Sequence, residues 1–160
     1  MTATKRLVVS AFVGACYATL TIVLAPISYG AVQFRISEAL TVIPYVMPST
    51  AWGLFVGCFI ANLFSPTVTI LDIVFGSLAT LLAGLVTAQV KSKWIAPLPP
   101  VIFNAIIVGA VISYTSAPNA AMIAFPTIAL SVGIGELVVC YALGLPLLFA
   151  LMRINALNSD

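Results

Sequence analysis

Histidine is absent from this chain of 160 residues, and charged residues make up only 6% of it. Without histidine, the chain lacks the commonest metal ligand and the commonest proton relay in proteins. It also lacks a GxxxxGK[ST] phosphate loop, so it cannot hydrolyse ATP by that route. No GxSxG or HExxH motif occurs either. These absences leave a pair of carboxylates as the only acid–base option for an enzyme.

The cysteines and the net charge exclude further classes of site. Cys16, Cys58 and Cys140 each lie in an apolar stretch, far apart and without a CxxC spacing, which indicates small buried hydrophobes rather than a metal or disulfide site. The net charge of +2 is too small to indicate a nucleic-acid partner. We therefore expect no metal, no cofactor and no nucleic acid.

Hydrophobic residues, in contrast, make up 62% of the chain, and its mean hydropathy is +1.23. A membrane-spanning helix needs about 20 mostly apolar residues. The composition therefore predicts an all-α integral membrane protein, a single bundle of about six transmembrane helices over residues 1–160. No room remains for a soluble catalytic domain, so we do not expect an enzyme.

Prolines and short polar loops divide the chain into six apolar segments. The second segment is too short to cross a bilayer untilted, and the last exceeds one crossing. We expect helices over Leu7 to about Ala25, Ile36 to Tyr45 or Met47, about Ser49 to Phe64, Thr69 or Ile70 to about Gln89, Val101 to Tyr114, and within Met122 to Met152.

The basic residues give the orientation of these helices. Lys and Arg in short loops favour the cytoplasmic side of a membrane. Six crossings bring five basic residues to one face, which predicts that both termini are cytoplasmic. These residues are Lys5, Arg6, Lys91, Lys93 and Arg153.

The stretch YGAVQFRISEALTVIPYVMP, residues 29–48, places Gln33, Arg35 and Glu38 between two apolar blocks. Polar groups beside spanning helices usually line a pocket, pair with each other or lie at the lipid–water boundary. We interpret the stretch as the rim of a binding site. Arg35 and Glu38 are three residues apart and can pair on one helix face. An ion pair at the outer interface without functional consequence is the alternative.

Two further carboxylates, Asp72 and Glu136, lie on helix faces that are otherwise made of small residues. If Arg35 pairs with Glu38, neither carboxylate has a cationic partner in the membrane. A ligand that is cationic or rich in N–H donors would then be the partner. Asn62 and Asn104 both donate and accept, which suits the edge of a heterocycle. Alternatively, Glu136 is neutral and bonded to Asn104 or to a backbone carbonyl.

Small residues also form a nearly continuous face on the first helix. Such faces let helices approach closely in lipid, either within one chain or between subunits. The residues are Ser10, Ala11, Gly14, Ala15 and Ala18.

Five stretches of the chain together resemble the QueT family, in unbroken order from about Ala11 to Leu148. Members of this family are the small substrate-binding membrane subunits, or S components, of energy-coupling-factor (ECF) transporters, assigned to queuosine precursors. The stretches are YGAVQFRISEALTVIPY, GLFVGCFIANLFSP, DIVFGSLATLLAG, PLPPVIFNAIIVG and VGIGELVVCYALGLPLL.

The resemblance implies a six-helix S component in a bacterial plasma membrane that takes a 7-deazaguanine from outside. Its partners would be a transmembrane T subunit and two ATPases, which would explain the missing phosphate loop. Docking would use Ala11 and Ala15, with Gly14 and Ala18 beside them. The ligand would lie near Gln33, Arg35, Asp72, Asn104 and Glu136.

The ligand chemistry that the resemblance implies can be matched to these side chains. Aminomethyl-deazaguanine carries an ammonium and a guanine edge with adjacent N–H donors. Glu136 would accept two parallel bonds from that edge. Asp72 or Glu38 would meet the ammonium, and Arg35 or Gln33 the carbonyl oxygen.

Three other classes of function compete with this reading. The runner-up is a proton- or sodium-coupled secondary transporter that uses Asp72 and Glu136. An intramembrane enzyme would use the same carboxylates as acid and base. A structural subunit would bind no small molecule.

Overall fold

The computed structural model describes residues 2–28, 34–65 and 69–157, and throughout these ranges the chain is helical or irregular, without a strand. The helices are α1 (Ala3–Val23), α2 (Ala25–Ser28), a 3₁₀ helix (Ile36–Tyr45), α3 (Thr50–Leu63), α4 (Ser77–Thr87), α5 (Leu98–Phe103), α6 (Gly109–Ser116), α7 (Ala121–Val139) and α8 (Leu145–Leu157). A short 3₁₀ turn, Pro118–Ala120, precedes α7.

Three π-helical turns interrupt the longer helices in the described ranges. Asp72–Gly76 leads into α4, Asn104–Val108 joins α5 to α6, and Cys140–Gly144 joins α7 to α8. Such turns are rare and occur frequently at functional sites. Two of the turns begin at a polar residue of the predicted site, Asp72 or Asn104, and the third begins four residues after Glu136. The π-helical turns therefore lie at or next to the predicted site residues.

All six predicted segments are helical, and the prediction of an all-α membrane protein is confirmed. Within the described ranges, three helices are long and apolar enough to cross a membrane: Ala3–Val23, Leu98–Ser116 and Pro118–Ile154. Thr50–Leu63 and Asp72–Thr87 are shorter apolar helices. The last helix, at 37 residues, exceeds one crossing as predicted.

The second segment has the predicted bounds but an unexpected geometry, because its ten residues, Ile36–Tyr45, form a 3₁₀ helix. Runs of 3₁₀ helix longer than three or four residues are uncommon, and the rise of about 2 Å per residue gives a length of about 20 Å. Pro44 lies inside it. Gly144 allows the π-helical turn of the last helix to approach closely, because a Cβ there would lie 3.2 Å from the Ala39 carbonyl oxygen. The 3₁₀ helix is thus held against the polar part of the last helix.

Helices α1 and α3 pack with their backbones in contact. A Cβ on Gly53 would lie 1.9 Å from the Ser10 carbonyl oxygen, and one on Gly14 would lie 2.3 Å from that of Gly53. The Ser10 hydroxyl donates to the Ser49 carbonyl at 2.8 Å and accepts from the Gly53 N–H at 3.1 Å. Beside this contact, buried Val13, Tyr17, Leu54 and Cys58 form a core cluster. Small residues in both helices thus permit the approach that brings these side chains together.

We predict that Gly53→Ala lowers the free energy of unfolding by about 2 kcal/mol, since the methyl group would overlap a backbone carbonyl that cannot rotate away. Gly133→Ala is the control, because its Cβ would meet only the Ala105 side chain, at 3.3 Å. Thermal unfolding in detergent measures both. Equal stabilities of the two variants would contradict the close packing of α1 on α3.

Candidate ligand-binding site

Glu38 is fully buried on the 3₁₀ helix, with 0% of its surface exposed. Its Oε1 accepts a hydrogen bond from the Tyr17 hydroxyl of α1, and its Oε2 has no hydrogen-bond partner among the described residues. The Arg35 guanidinium lies 3.9 Å from Oε1, which confirms the predicted pairing. At 5% exposure Arg35 is buried too, so the pair is not a surface ion pair.

Glu136 lies on α7, one turn before the π-helical turn, and is 2% exposed. Its Oε2 accepts from the Cys140 thiol at a sulfur–oxygen distance of 3.8 Å. The same thiol lies 3.7 Å from the Glu38 carbonyl oxygen. Cys140 therefore lies where the last helix meets the 3₁₀ helix, and it brings the segments of Glu38 and Glu136 together.

Asn104 starts the π-helical turn between α5 and α6 and is 1% exposed. Its amide group lies beside the carboxyl groups of both Glu38 and Glu136. Even so, neither its nitrogen nor its oxygen makes a hydrogen bond of good geometry with a described residue. A buried amide with both atoms unsatisfied is unfavourable by several kcal/mol in the absence of a ligand or water. Asn104 therefore has an unused donor and an unused acceptor beside the two carboxyl groups.

These side chains form what we call the polar cluster: Tyr17, Arg35, Glu38, Asn104 and Glu136. It contains two carboxyl groups and one guanidinium group, together with an amide and a phenol. When the carboxyls are ionised, they outnumber the one cation of the cluster. The cluster therefore favours a ligand that is cationic or that presents several N–H donors.

Asn62 and Asp72, predicted for the same site, have partners of their own. The Asp72 Oδ2 accepts from the Thr69 N–H at 2.9 Å and from the Thr69 hydroxyl at 2.7 Å, while the Thr69 Oγ1 accepts from the Asp72 N–H at 3.3 Å. This reciprocal arrangement is a capping box at the start of a helix. Asn62 donates to the Asp72 carbonyl oxygen at 3.2 Å. These partners are neutral groups, so the Asp72 carboxylate is hydrogen-bonded by Thr69 without a cation.

The structure adds Tyr17 and Cys140 to the residues proposed from the sequence, whereas Gln33 lies outside the described residues. The sequence gives only a weak indication that either residue belongs to the site. Tyr17 stands in the middle of an apolar helix rather than at the membrane interface, where tyrosine is usually enriched. Cys140 stands one helical turn after Glu136.

The four residues predicted for docking do not share one surface. Ala11 and Ala15 are exposed and line an open apolar groove of about 300 Å³ between α1 and α3. Gly14 is buried at the floor of this groove against Gly53, and Ala18 is buried at 7% exposure. Only Ala11 and Ala15 remain available to another protein. The groove is lined by Leu7, Ser10, Ala11, Gly14, Ala15, Trp52, Gly53, Val56, Gly57 and Ile60.

The apolar helices and the enclosed polar cluster are typical of membrane proteins that transport small molecules. The family model described as QueT transporter matches residues 7–153, and the chain belongs to this family. This confirms the resemblance seen in the sequence. Because it is a family of transporters, the expectation that the chain is not an enzyme is confirmed as well.

A curated relative covers part of the chain. The queuosine precursor transporter QueT of Lactococcus lactis subsp. cremoris (strain MG1363) is 38% identical over 80 residues. The match covers 49% of this chain and 46% of the relative, so the chain spans about half the length of the curated relative it matches. No solved structure matches the chain.

We predict that Thr69→Ala and Asp72→Asn each destabilise the protein by about 1 kcal/mol, as loss of a helix cap does, and leave ligand affinity within about twofold. Thermal unfolding and a binding titration measure the two effects. If Asp72→Asn abolished binding while Thr69→Ala did not, Asp72 would be a ligand residue rather than a cap.

Proposed function

We propose that the chain is the substrate-binding subunit, or S component, of an ECF-type transporter that imports a queuosine precursor. The substrate would be a 7-deazaguanine such as 7-aminomethyl-7-deazaguanine or queuine. The observation that carries the proposal is the buried polar cluster, in which the Glu38 Oε2 and both amide atoms of Asn104 have no hydrogen-bond partner among the described residues. Family membership and the name of the Lactococcus lactis relative support the same substrate class.

Each of the two carboxylates would bind a different part of the ligand. Glu136 would accept two parallel N–H bonds from the guanine edge, a bidentate arrangement that is stronger than a single neutral bond. Glu38 would receive the ammonium of the aminomethyl group through Oε2. We favour Glu38 over Asp72 for this role because the Asp72 carboxylate already accepts two bonds from Thr69. Arg35 or Gln33 would donate to the carbonyl oxygen.

The proposed partners are a transmembrane T subunit and two ATPase subunits. They would supply the nucleotide hydrolysis for which this chain has no phosphate loop. The groove beside Ala11 and Ala15 would receive the T subunit. An apolar groove floored by small residues lets a helix of another subunit approach closely within lipid.

The proposed location is the bacterial plasma membrane, with residues 1–160 forming one domain that crosses it several times and has both termini in the cytoplasm. Lys93 supports the orientation, because its Nζ lies 4.9 Å from the ring centre of Phe149, one turn before Arg153. The basic residues near Lys93 and near the end of α8 thus lie at the same end of the bundle, as the positive-inside rule requires.

The alternative, a proton- or sodium-coupled transporter that uses Asp72 and Glu136, is less well supported. It requires both carboxylates to release and rebind an ion during transport. The Asp72 carboxylate instead accepts two hydrogen bonds from Thr69, its partner in a capping box. Uptake that persists without any ATPase partner and collapses with an ionophore would favour this alternative.

We predict that 7-aminomethyl-7-deazaguanine raises the melting temperature of the purified chain in a saturable manner and that guanine does not. A ligand at about 100 times its dissociation constant stabilises by about 2.7 kcal/mol.

Glu136→Gln should weaken binding at least about tenfold, since an amide cannot accept two parallel bonds. Melting-temperature shifts with the nitrile analogue and with queuine show which of the three precursors binds best. If none of the four compounds shifted a folded protein, the ligand assignment would be wrong.

We predict that Ala15→Leu prevents co-purification with the T subunit and the ATPases and leaves ligand binding unchanged, because the larger side chain fills the groove. Ala110→Leu is the matched control, since Ala110 is an exposed alanine on α6 outside the groove. Affinity capture of the complex from membranes measures assembly. Loss of assembly in both variants would mean that the groove is not the specific contact.

A further inference from the structure

Tyr17 is the one residue of the polar cluster that comes from α1, and it was not among the residues expected from the sequence. Its side chain has 0% exposure and packs in the core cluster with Val13, Leu54 and Cys58. The ring position is therefore fixed by packing on several sides. Its hydroxyl reaches out of this core and donates to the Glu38 Oε1. A buried phenol with a single carboxylate acceptor holds that carboxylate in one orientation.

Among the described residues, two side-chain hydrogen bonds connect α1 to the 3₁₀ helix, and they differ in what they can do. The first is the bond from Tyr17 to Glu38. The second joins the hydroxyl groups of Thr21 and Ser37 at 2.6 Å, and Thr21 also donates to the Tyr17 carbonyl oxygen at 2.9 Å. The second bond can hold the 3₁₀ helix in place but does not touch a group of the proposed ligand site. The two can therefore be separated by mutation.

The two oxygens of Glu38 have different surroundings. Oε1 accepts from Tyr17 and lies 3.9 Å from the guanidinium group of Arg35. Oε2 is buried without a hydrogen-bond partner among the described residues. Leaving a buried carboxylate oxygen without a donor is costly. Of the two Glu38 oxygens, Oε2 is therefore the one that a hydrogen-bond donor on the ligand would stabilise more.

We propose that Tyr17 is a positioning residue for ligand recognition: it holds the Glu38 Oε1 so that Oε2 faces the ligand and accepts one of its N–H or ammonium protons. This inference rests on the proposed function of the polar cluster and adds a residue outside the ligand contacts. Tyr17 acts through Glu38 alone, so its contribution to binding disappears when Glu38 is changed. A residue that only stabilised the fold would not show this dependence.

The test is a double-mutant cycle on binding of 7-aminomethyl-7-deazaguanine, measured by calorimetry on the detergent-purified chain. Tyr17→Phe keeps the ring and its packing but removes the hydroxyl, and we expect affinity to fall about tenfold, as for loss of a hydrogen bond to a charged group. Glu38→Gln should also weaken binding. Adding Tyr17→Phe to Glu38→Gln should cost less than about twofold more, because contacting residues are not additive.

Two single variants are the controls. Thr21→Val removes the other bond between α1 and the 3₁₀ helix, and Tyr45→Phe removes a hydroxyl that donates to the Lys91 carbonyl oxygen at 3.2 Å, away from the polar cluster. Both should bind within about twofold of the unmodified chain. The melting temperature of each ligand-free variant confirms that it is folded.

Four results would overturn the inference, and each shows which part of it fails. If the unmodified chain did not bind the compound, the proposed function would fail and this inference with it. If the unmodified chain bound and Tyr17→Phe bound equally well, only the positioning role would fail. If Thr21→Val weakened binding as much as Tyr17→Phe, or if the losses of Tyr17→Phe and Glu38→Gln simply added, Tyr17 would act by holding the 3₁₀ helix rather than by orienting Glu38.

Discussion

The burial of Glu38 and Glu136 within an apolar bundle is the constraint on which the rest of the structure depends. A carboxylate in a low-dielectric interior is unfavourable unless it is paired, hydrogen-bonded or neutral. The chain supplies some of what is needed through Tyr17, Arg35 and Cys140, but it leaves the Glu38 Oε2 without a partner among the described residues. Incomplete pairing of this kind is poor design for stability alone. It is reasonable for a site completed by a ligand rich in N–H donors.

The irregular helices serve the same site. In an α-helix each side chain is rotated by about 100° from that of the preceding residue. A π-helical turn shifts this register by about one residue. Turns of this type begin at Asn104 and Cys140, and the segment that carries Glu38 is a 3₁₀ helix. These departures change the direction in which polar side chains project while their backbone bonds remain within the helix. That matters in a membrane, where an unsatisfied backbone group has no water to bind.

The first helix combines two surfaces with different requirements. On one side Gly14 lies against Gly53, next to the groove that Ala11 and Ala15 line, and on the other Tyr17 and Thr21 bond to the 3₁₀ helix. A single helix of 21 residues thus lies between the proposed contact with the T subunit and the proposed ligand site. The small residues divide in two: Gly14 and Ala18 allow internal packing, whereas Ala11 and Ala15 line the open groove that is the proposed contact with the T subunit.

The sequence by itself determined the membrane class, the six helical segments and the family, because apolar run length, proline positions and ordered motifs are local properties of the chain. It also predicted the pairing of Arg35 with Glu38 from their spacing of three residues. In the structure Arg35 immediately precedes the 3₁₀ helix and Glu38 lies in its first turn. Only the tertiary structure decided that Tyr17 from α1 reaches Glu38, that Asn104 lies beside both carboxyls, and that Asp72 is a helix cap instead of a free charge. These facts depend on how separate helices approach one another and on register shifts at π-helical turns, and neither is encoded in a local pattern.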